Sequence, residues 1–283
     1  MKLSEMKQVL EERRLLLTKA LGQNFLHDQN QVKRIVDTAG LEKTDQVLEI
    51  GPGLGPLTER LLDHAGGVLA IEKDARLAEI LRERILCKPQ AGARLELIHD
   101  DALQFLRQNP RDWREWKVVA NLPYSVASPL LVELALPGRG PRLMAVTLQL
   151  EVARRLMAAP DSADYGVLTL LVRFEYEPAD WFKIPASCFF PEPDVDSACV
   201  CLVRRTPAPW SSALGPLFAR IVKRGFSQRR KMMLKLLKQE WPAAALERAW
   251  ADLGLSPQAR AETVTVEQFV RLAERLTPEF NHG

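Results

Sequence analysis

The chain has 283 residues, of which 47% are hydrophobic and 27% charged, with a formal net charge of +3; that is the profile of a soluble globular protein of one large or two modest domains. Charges through the first fourteen positions (Glu5, Lys7, Glu11, Glu12, Arg13, Arg14) exclude a secretory leader, and no apolar run reaches membrane-spanning length. The four cysteines, at 87, 188, 199 and 201, form no CxxC pair and the four histidines are scattered, which excludes a zinc spacing and a disulfide framework and points to a reducing cytoplasm.

In chain order, MKQVLEERRLLLTKALGQNFL has the pattern of an amphipathic helix running into a turn, expected over a ligand-binding edge. Strand-length apolar runs then alternate with helix-period segments. QVLEI (46–50) precedes LTERLLDH, GVLAI (67–71) precedes DARLAEILRERI, and RLELI (94–98) precedes DALQFL. KVVAN (117–121) precedes SPLLVELAL, and RLMAVTLQ (142–149) precedes EVARRLMA. Such pairs predict a parallel sheet with helices on both faces, whose ligands gather at the carboxyl ends of the strands. GVLTLLVRFEY and ACVCLVR are expected to complete the sheet as an antiparallel edge hairpin, with Cys199 and Cys201 packed as small apolar groups. TPAPW then reads as a linker, and the remainder is helical, broken at Gly225, Pro242, Gly254 and Pro257. The expected division is 1–206 for the sheet domain and 207–283 for a small all-helical domain.

EIGPGLGPLT places Gly51, Gly53 and Gly55 directly after the first strand of that series. Glycine permits the sharp turn and a close ligand approach. The dinucleotide fingerprint requires Gly or Ala at the position held by Pro56, so a nicotinamide oxidoreductase is disfavoured. A glycine turn preceded by Glu49 better fits a cofactor without a bridging diphosphate, such as S-adenosylmethionine. Glu72, about twenty residues on, is spaced to accept hydrogen bonds from both ribose hydroxyls; its plainer alternative is a solvated acid at a helix start. Asp100 and Asp101 end the next strand. Asp101 is favoured for a contact with the adenine amine, and either could cap the helix that follows.

Asn121, Leu122, Pro123 and Tyr124 end the fourth strand of the series. As a bare tetrapeptide they are an ordinary turn, with Ser125 available as a helix cap. On the same edge as the glycine turn they acquire a chemistry. The lone pair of an adenine amino group is delocalised into its ring. Two acceptors aimed at its hydrogens, the Asn121 side-chain oxygen and the Leu122 carbonyl, favour a more tetrahedral nitrogen, while Tyr124 offers a stacking face. With an activated methyl donor, positioning supplies most of the catalysis and no metal is needed.

Taken together, GQNFL (22–26), LEIGPGLGPLT, the acid at 72, DDAL, NLPY, FFPEPDVDSA (189–198) and FSQRRK (226–231) resemble the KsgA-type small-subunit (16S) ribosomal RNA adenine N6,N6-dimethyltransferases, in that family's order and over nearly the full chain. The resemblance implies a Rossmann-like S-adenosylmethionine-dependent methyltransferase sheet with a helical C-terminal domain. It implies cofactor contacts at Asn24, Leu26, Gly51, Gly53, Glu72, Asp101 and Asn121. It further implies a target-base partner in Phe189, opposite Tyr124, and dimethylation of two adjacent adenosines in the 3′-terminal hairpin loop of small-subunit RNA, on a monomeric cytoplasmic enzyme serving the immature 30S particle. Three positions depart from the family pattern: Ser125 where Asn is common, Met232 where Thr is common, and Asp194 where Lys is frequent, the last arguing against a basic RNA contact there.

From 204 to 238 the chain carries ten Lys or Arg and no Asp or Glu. Lys223, Arg224, Arg229, Arg230 and Lys231 surround Phe226 in this stretch, a footprint suited to phosphates and to duplex RNA read by shape; the plainer reading is a solvated helix face. Two rival functions are a large-subunit adenine methyltransferase of the macrolide-resistance type and a non-catalytic RNA-binding assembly factor.

Overall fold

The computed structural model describes residues 1–15, 23–86, 92–109, 111–228 and 230–280. The chain forms two compact units. One comprises Met1–Leu134, Arg139–Ala153 and Pro178–Arg204; the other comprises Ala135–Gly138, Arg154–Glu177 and Arg205–Gly283.

The elements run α1 (Leu3–Glu12), β1 (Phe25–Leu26), α2 (Gln29–Thr38), β2 (Gln46–Ile50), α3 (Pro56–His64), β3 (Gly67–Glu72), α4 (Ala75–Leu86), β4 (Leu95–His99) and α5 (Ala102–Gln108). They continue through β5 (Trp116–Asn121), α6 (Ala127–Leu134), β6 (Leu143–Gln149), α7 (Leu150–Met157), α8 (Val167–Arg173), β7 (Tyr176–Ile184), β8 (Phe189–Phe190) and β9 (Ser197–Arg204). Four helices close the chain: α9 (Gly215–Gly225), α10 (Met233–Leu237), α11 (Ala243–Asp252) and α12 (Val266–Phe280).

Seven strands form one sheet in the order β4-β3-β2-β5-β6-β9-β7. β2 pairs in parallel with both β3 and β5, while β9 runs antiparallel to β6. The chain winds outward from β2 through β3 and β4, then returns to β5 on the other side. The switch point therefore lies between β2 and β5, where open sheets of this type leave a crevice. Central strands buried on both faces explain the unbroken apolar runs of the sequence. Helix starts are locally encoded: Asp28 caps α2 by accepting from the Asn30 and Gln31 amides, both at 2.9 Å, and Pro56 opens α3 after the left-handed Gly55. At the other edge of the sheet, buried Asp45 meets both Lys117 (2.9 Å) and Arg142, fixing the starts of β5 and β6.

The helical unit has a core rich in aromatics. Phe218 packs on Phe174 with ring centroids 4.6 Å apart and meets Phe269 edge-on at 6.3 Å. Within it the Tyr165 hydroxyl donates to the Val264 carbonyl at 2.8 Å.

Two expectations change. GVLTLLVRFEY is no strand: residues 167–173 are helical, and the strand begins only at Tyr176. Thr169 ties the start of this helix to α7, its hydroxyl accepting from the Gly166 amide (3.1 Å) and donating to the Arg155 carbonyl (2.6 Å), while Leu170 and Phe174 enter the aromatic core at helical spacing. A short apolar run does not distinguish a buried helix from a buried strand. The true strand, YEPADWFKI, was obscured by Pro178, tolerated because β7 is an edge. Consequently the single boundary at 206/207 gives way to a discontinuous division, with residues 154–177 joining the helical unit. Cys188, Cys199 and Cys201 are buried free thiols, and Cys87 lies outside the described residues.

Candidate active site

The carboxyl ends of β2, β3 and β5 surround a cavity of about 320 Å³ whose lining includes Asn24, Gly51, Gly53, Glu72, Asp101, Asn121, Leu122 and Tyr124. Eight residues expected from separate motifs thus converge on one site, all within the sheet unit. Gly51, Gly53 and Gly55 all have positive φ, at 68°, 58° and 87°. At Gly53 the requirement is also steric, since a Cβ there would stand 2.7 Å from the Phe25 ring.

Glu72 is buried, and its two oxygens are already engaged, accepting from the Gly53 amide at 3.0 Å and the Asp74 amide at 2.9 Å. Burial raises its pKa, and these two amides oppose the rise. Asp101 caps α5: one oxygen accepts from the Leu103 and Gln104 amides (3.0 and 3.1 Å), and the other pairs with Lys73 at 2.8 Å. The Lys73 ammonium holds its pKa below the usual carboxylate range. Asp74, bound by Arg76, drops to about 2.

Asn121 is oriented by the chain around it. Its side-chain amide donates to the Asn24 carbonyl at 2.9 Å, which fixes which end is the oxygen. That oxygen is buried and has no hydrogen-bond partner among the described residues. The Leu122 amide donates to the Thr147 carbonyl at 3.1 Å, pinning the start of the NLPY turn to β6. The Tyr124 hydroxyl meets the Ser197 hydroxyl at 2.5 Å, which fixes the ring's position at the pocket wall, and burial pushes its pKa up.

Several features were not read from the sequence. Phe25 lines the pocket where Leu26 was expected, because the side chain of Leu26 points into the hydrophobic core. Phe189 likewise is 2% exposed and lies in that core rather than in the pocket lining. The reason is the two-stranded ribbon β1–β8, in which Leu26 faces Phe189 and Phe25 faces Phe190, so alternation sends one pair into the core under the sheet and the other to the opposite face, toward α1. Phe190 instead carries Lys7 5.2 Å from its ring centre. Helix α1 supports this wall from outside: Met6 and Leu10 pack with Phe25, Leu54, Leu77 and Ile80. Ser197 sits inside FFPEPDVDSA and was legible as part of that motif only, and Thr147, flanked by Val146 and Leu148 in a largely apolar strand, gave no signal. Thr147 stands across from Asn121 in the β5–β6 register, with its hydroxyl buried and without a partner among the described residues.

Behind the glycine turn, Glu49 is 1% exposed and one of its oxygens has no hydrogen-bond partner among the described residues. Burial drives its pKa up to about 8, the Glu72 charge adds to the rise, and the nearby Thr58 hydroxyl tempers it. Glu49 is therefore largely protonated at neutral pH.

In the helical unit, Lys223, Arg230 and Lys231 are exposed, and Arg229 lies outside the described residues. Arg224 is committed internally: it donates to the Leu236 carbonyl (3.1 Å) and the Gln239 side chain and pairs with Glu240 at 3.3 Å. Glu240, two residues past the acid-free stretch, pairs with Arg220 as well. No group of three or more His, Cys, Asp or Glu residues that could hold a metal ion occurs among the described residues, and no helix among them is long and apolar enough to cross a membrane.

The family model described as "Ribosomal RNA adenine dimethylase" matches residues 15–278. The ribosomal RNA small subunit methyltransferase A of Anoxybacillus flavithermus is 38% identical, over 97% of this chain and 95% of its own; that of Pelotomaculum thermopropionicum is 40% identical, over 90% of each. Among solved structures, a dimethyladenosine transferase from Plasmodium falciparum superposes with a TM-score of 0.75 at 23% identity, covering 90% of this chain and 98% of its own. The 23S rRNA methyltransferase ErmE gives 0.66 at 32% identity, covering 90% and 100%.

Proposed function

We infer from its place in the ribosomal RNA adenine dimethylase family, to which this chain belongs, that it is an S-adenosylmethionine-dependent enzyme converting adenosines of small-subunit ribosomal RNA to N6,N6-dimethyladenosine. The observation that carries the residue assignment is the side-chain oxygen of pocket-lining Asn121, buried and without a partner among the described residues. Leaving a buried acceptor unpaired costs about 1–3 kcal/mol, a cost that a substrate amine donating to it removes.

The pocket suits the cofactor: a glycine turn without side chains, a buried carboxylate at Glu72 for ribose hydroxyls, and apolar walls from Ile50, Ile71 and Leu77. Bound S-adenosylmethionine supplies a methyl group on a positively charged sulfur, activated for transfer. Gly51, Gly53, Glu72 and Asp101 hold it, with the segment of Asn24 and Leu26 closing the wall. Asn121 and the Leu122 carbonyl grip the two hydrogens of the adenine amine and keep its lone pair directed at the methyl group. Tyr124, its hydroxyl fastened to Ser197, supplies the stacking face. Phe189 joins as a second face only if β8 shifts, since its ring is now in the core. The amine acquires positive charge on methylation and loses a proton readily, so no strong base is required of the site.

The substrate is two neighbouring adenosines in the hairpin loop near the 3′ end, presented within an immature 30S particle to a monomeric, cytoplasmic enzyme. RNA is held through Lys223, Arg230 and Lys231, with Arg229 of the same run; Arg224 serves mainly to brace its own unit. A second reading, methylation of large-subunit RNA, draws on the likeness to ErmE. Relatives named for the small subunit match at higher identity over as much of the chain or more, and they favour the first.

The test is incubation of the protein with labelled S-adenosylmethionine and either undermethylated small-subunit particles or large-subunit RNA, followed by mass spectrometry of the digested RNA. Dimethyladenosine confined to the small-subunit substrate is expected. Label in large-subunit RNA alone would transfer the assignment to the second reading.

A further inference from the structure

At the edge of the sheet opposite the pocket, five arginines stand together within the sheet unit. The Trp113 amide donates to the Arg139 carbonyl (3.0 Å), the Arg142 amide to the Trp116 carbonyl (2.9 Å), and the Arg204 amide to the Arg142 carbonyl (3.0 Å). The Arg204 guanidinium donates to the Gly140 carbonyl (2.7 Å) and the Arg114 carbonyl (3.3 Å). Arg111 lies over two rings at once, 5.3 Å from the Trp113 centre and 5.4 Å from that of Trp116, and those rings meet edge to face at 5.2 Å.

The acids facing this cluster do not balance it. Asp45 is buried and shared between Lys117 and Arg142; Asp112 pairs with Arg114 at 2.6 Å; Glu115 is exposed beside them. Arg111 and Arg139 are exposed and pair with no carboxylate among the described residues. The Arg111 guanidinium is held over indole faces and that of Arg204 on backbone carbonyls, so that less side-chain freedom is lost when these two are engaged.

We propose that this arginine cluster is a second RNA-binding surface, which grips the phosphate backbone of structured small-subunit RNA away from the target loop. The proposal rests on the RNA substrate inferred above. Planar guanidinium forks match phosphate oxygens in pairs, and no base reading is implied, because the cluster offers cations rather than a patterned set of donors and acceptors. Its position separates it from catalysis. It lies where β5 and β6 begin, whereas Asn121 ends β5, and six strand residues span about 20 Å. A short hairpin seated in the pocket would not reach it. A particle with neighbouring RNA helices would.

The triple variant Arg111→Gln, Arg114→Gln, Arg139→Gln tests this, with Arg142 and Arg204 kept for their structural bonds. Methyl transfer is measured on a synthetic hairpin carrying two adjacent loop adenosines and on undermethylated small-subunit particles. The expected result is unchanged turnover on the hairpin, with a KM for the particle raised about tenfold or more and a slope of log affinity against log salt flatter by about 2–3, as loss of three phosphate contacts implies. Restoring charge with Lys at the three positions should recover most of the affinity. Asp112→Asn, which frees Arg114, should tighten particle binding. Unchanged particle KM and salt slope would overturn the proposal, and so would equal losses on both substrates. Should the unaltered protein methylate neither RNA, the catalytic reading fails instead, which is a separate result.

Discussion

The two units differ in the kind of buried polar atom they leave unpaired. In the sheet unit, oxygens of Glu49, Asn121 and Thr147 are buried without partners among the described residues, all at or next to the carboxyl edge. In the helical unit, tyrosine and tryptophan polar groups are matched: Tyr165 to Val264, Trp210 to Phe174 at 2.9 Å, Trp250 to Ser256 at 3.1 Å. The sheet unit thus leaves side-chain oxygens unpaired along its carboxyl edge, whereas in the helical unit the buried atoms without a partner among the described residues are the Nε of Arg173 and of Arg205. Unpaired acceptors beside the proposed pocket set the first unit apart from the second.

The largest effect that could break this contrast lies in the packed unit. Phe218→Ala should lower stability by about 3–5 kcal/mol, read as a drop in the denaturant midpoint, while cofactor affinity changes less than twofold because every pocket-lining residue belongs to the sheet unit. A parallel loss of cofactor affinity would show that the units do not divide the work. Asn121→Ala should do the reverse. Turnover is expected to fall about a hundred- to a thousandfold, by analogy with deleting one preorganised polar group at a reacting centre, with thermal stability unchanged or slightly raised. A large stability loss instead would mean that this oxygen is structural.

Glu49→Gln sharpens the contrast through pH. The carboxyl titrates near 4.5 when the chain is unfolded and near 8 when folded, so the native state binds the extra proton between these values. Its contribution is complete below about 4.5 and is lost as pH rises to about 8, at up to about 1.4 kcal/mol per pH unit. Glutamine cannot ionise. Urea midpoints measured from pH 5 to 8 should decline less steeply in the variant, and parallel profiles would show that Glu49 is already ionised. The smallest effect is expected from Tyr124→Phe. It removes the bond to Ser197, worth about 1 kcal/mol, and keeps the ring, so kcat should stay within several-fold while KM for RNA rises modestly. A collapse of kcat would assign the hydroxyl a chemical part.

Much of this was legible in the residues. β2, for example, runs from Gln46 to Ile50 as its apolar pattern predicts, and the three glycines adopt the positive φ that their spacing after a strand suggests. Motifs placed Asn121, Glu72 and Asp101 on one edge because parallel strands deliver all their carboxyl ends to the same side. Three things were not legible. The helix at 167–173 and the strand at 176–184 depend on which core receives Leu170 and Phe174, a long-range outcome that local apolarity does not encode. The inward turn of Leu26 and Phe189 depends on a two-residue ribbon between distant segments, where a shift of one position exchanges the faces. The commitment of Arg224 depends on Glu240, just beyond the charge run that made it conspicuous.

That ribbon also orders events in time. Phe25, a wall of the cofactor cavity, is paired with Phe190, and Tyr124 is fastened to Ser197. A chain leaving the ribosome therefore possesses its glycine turn and its Asn121 long before either clasp can close. Contacts so distant in sequence form late, and a polypeptide interrupted ahead of Phe190 would carry every catalytic motif up to that point and still lack a finished vessel for the methyl donor.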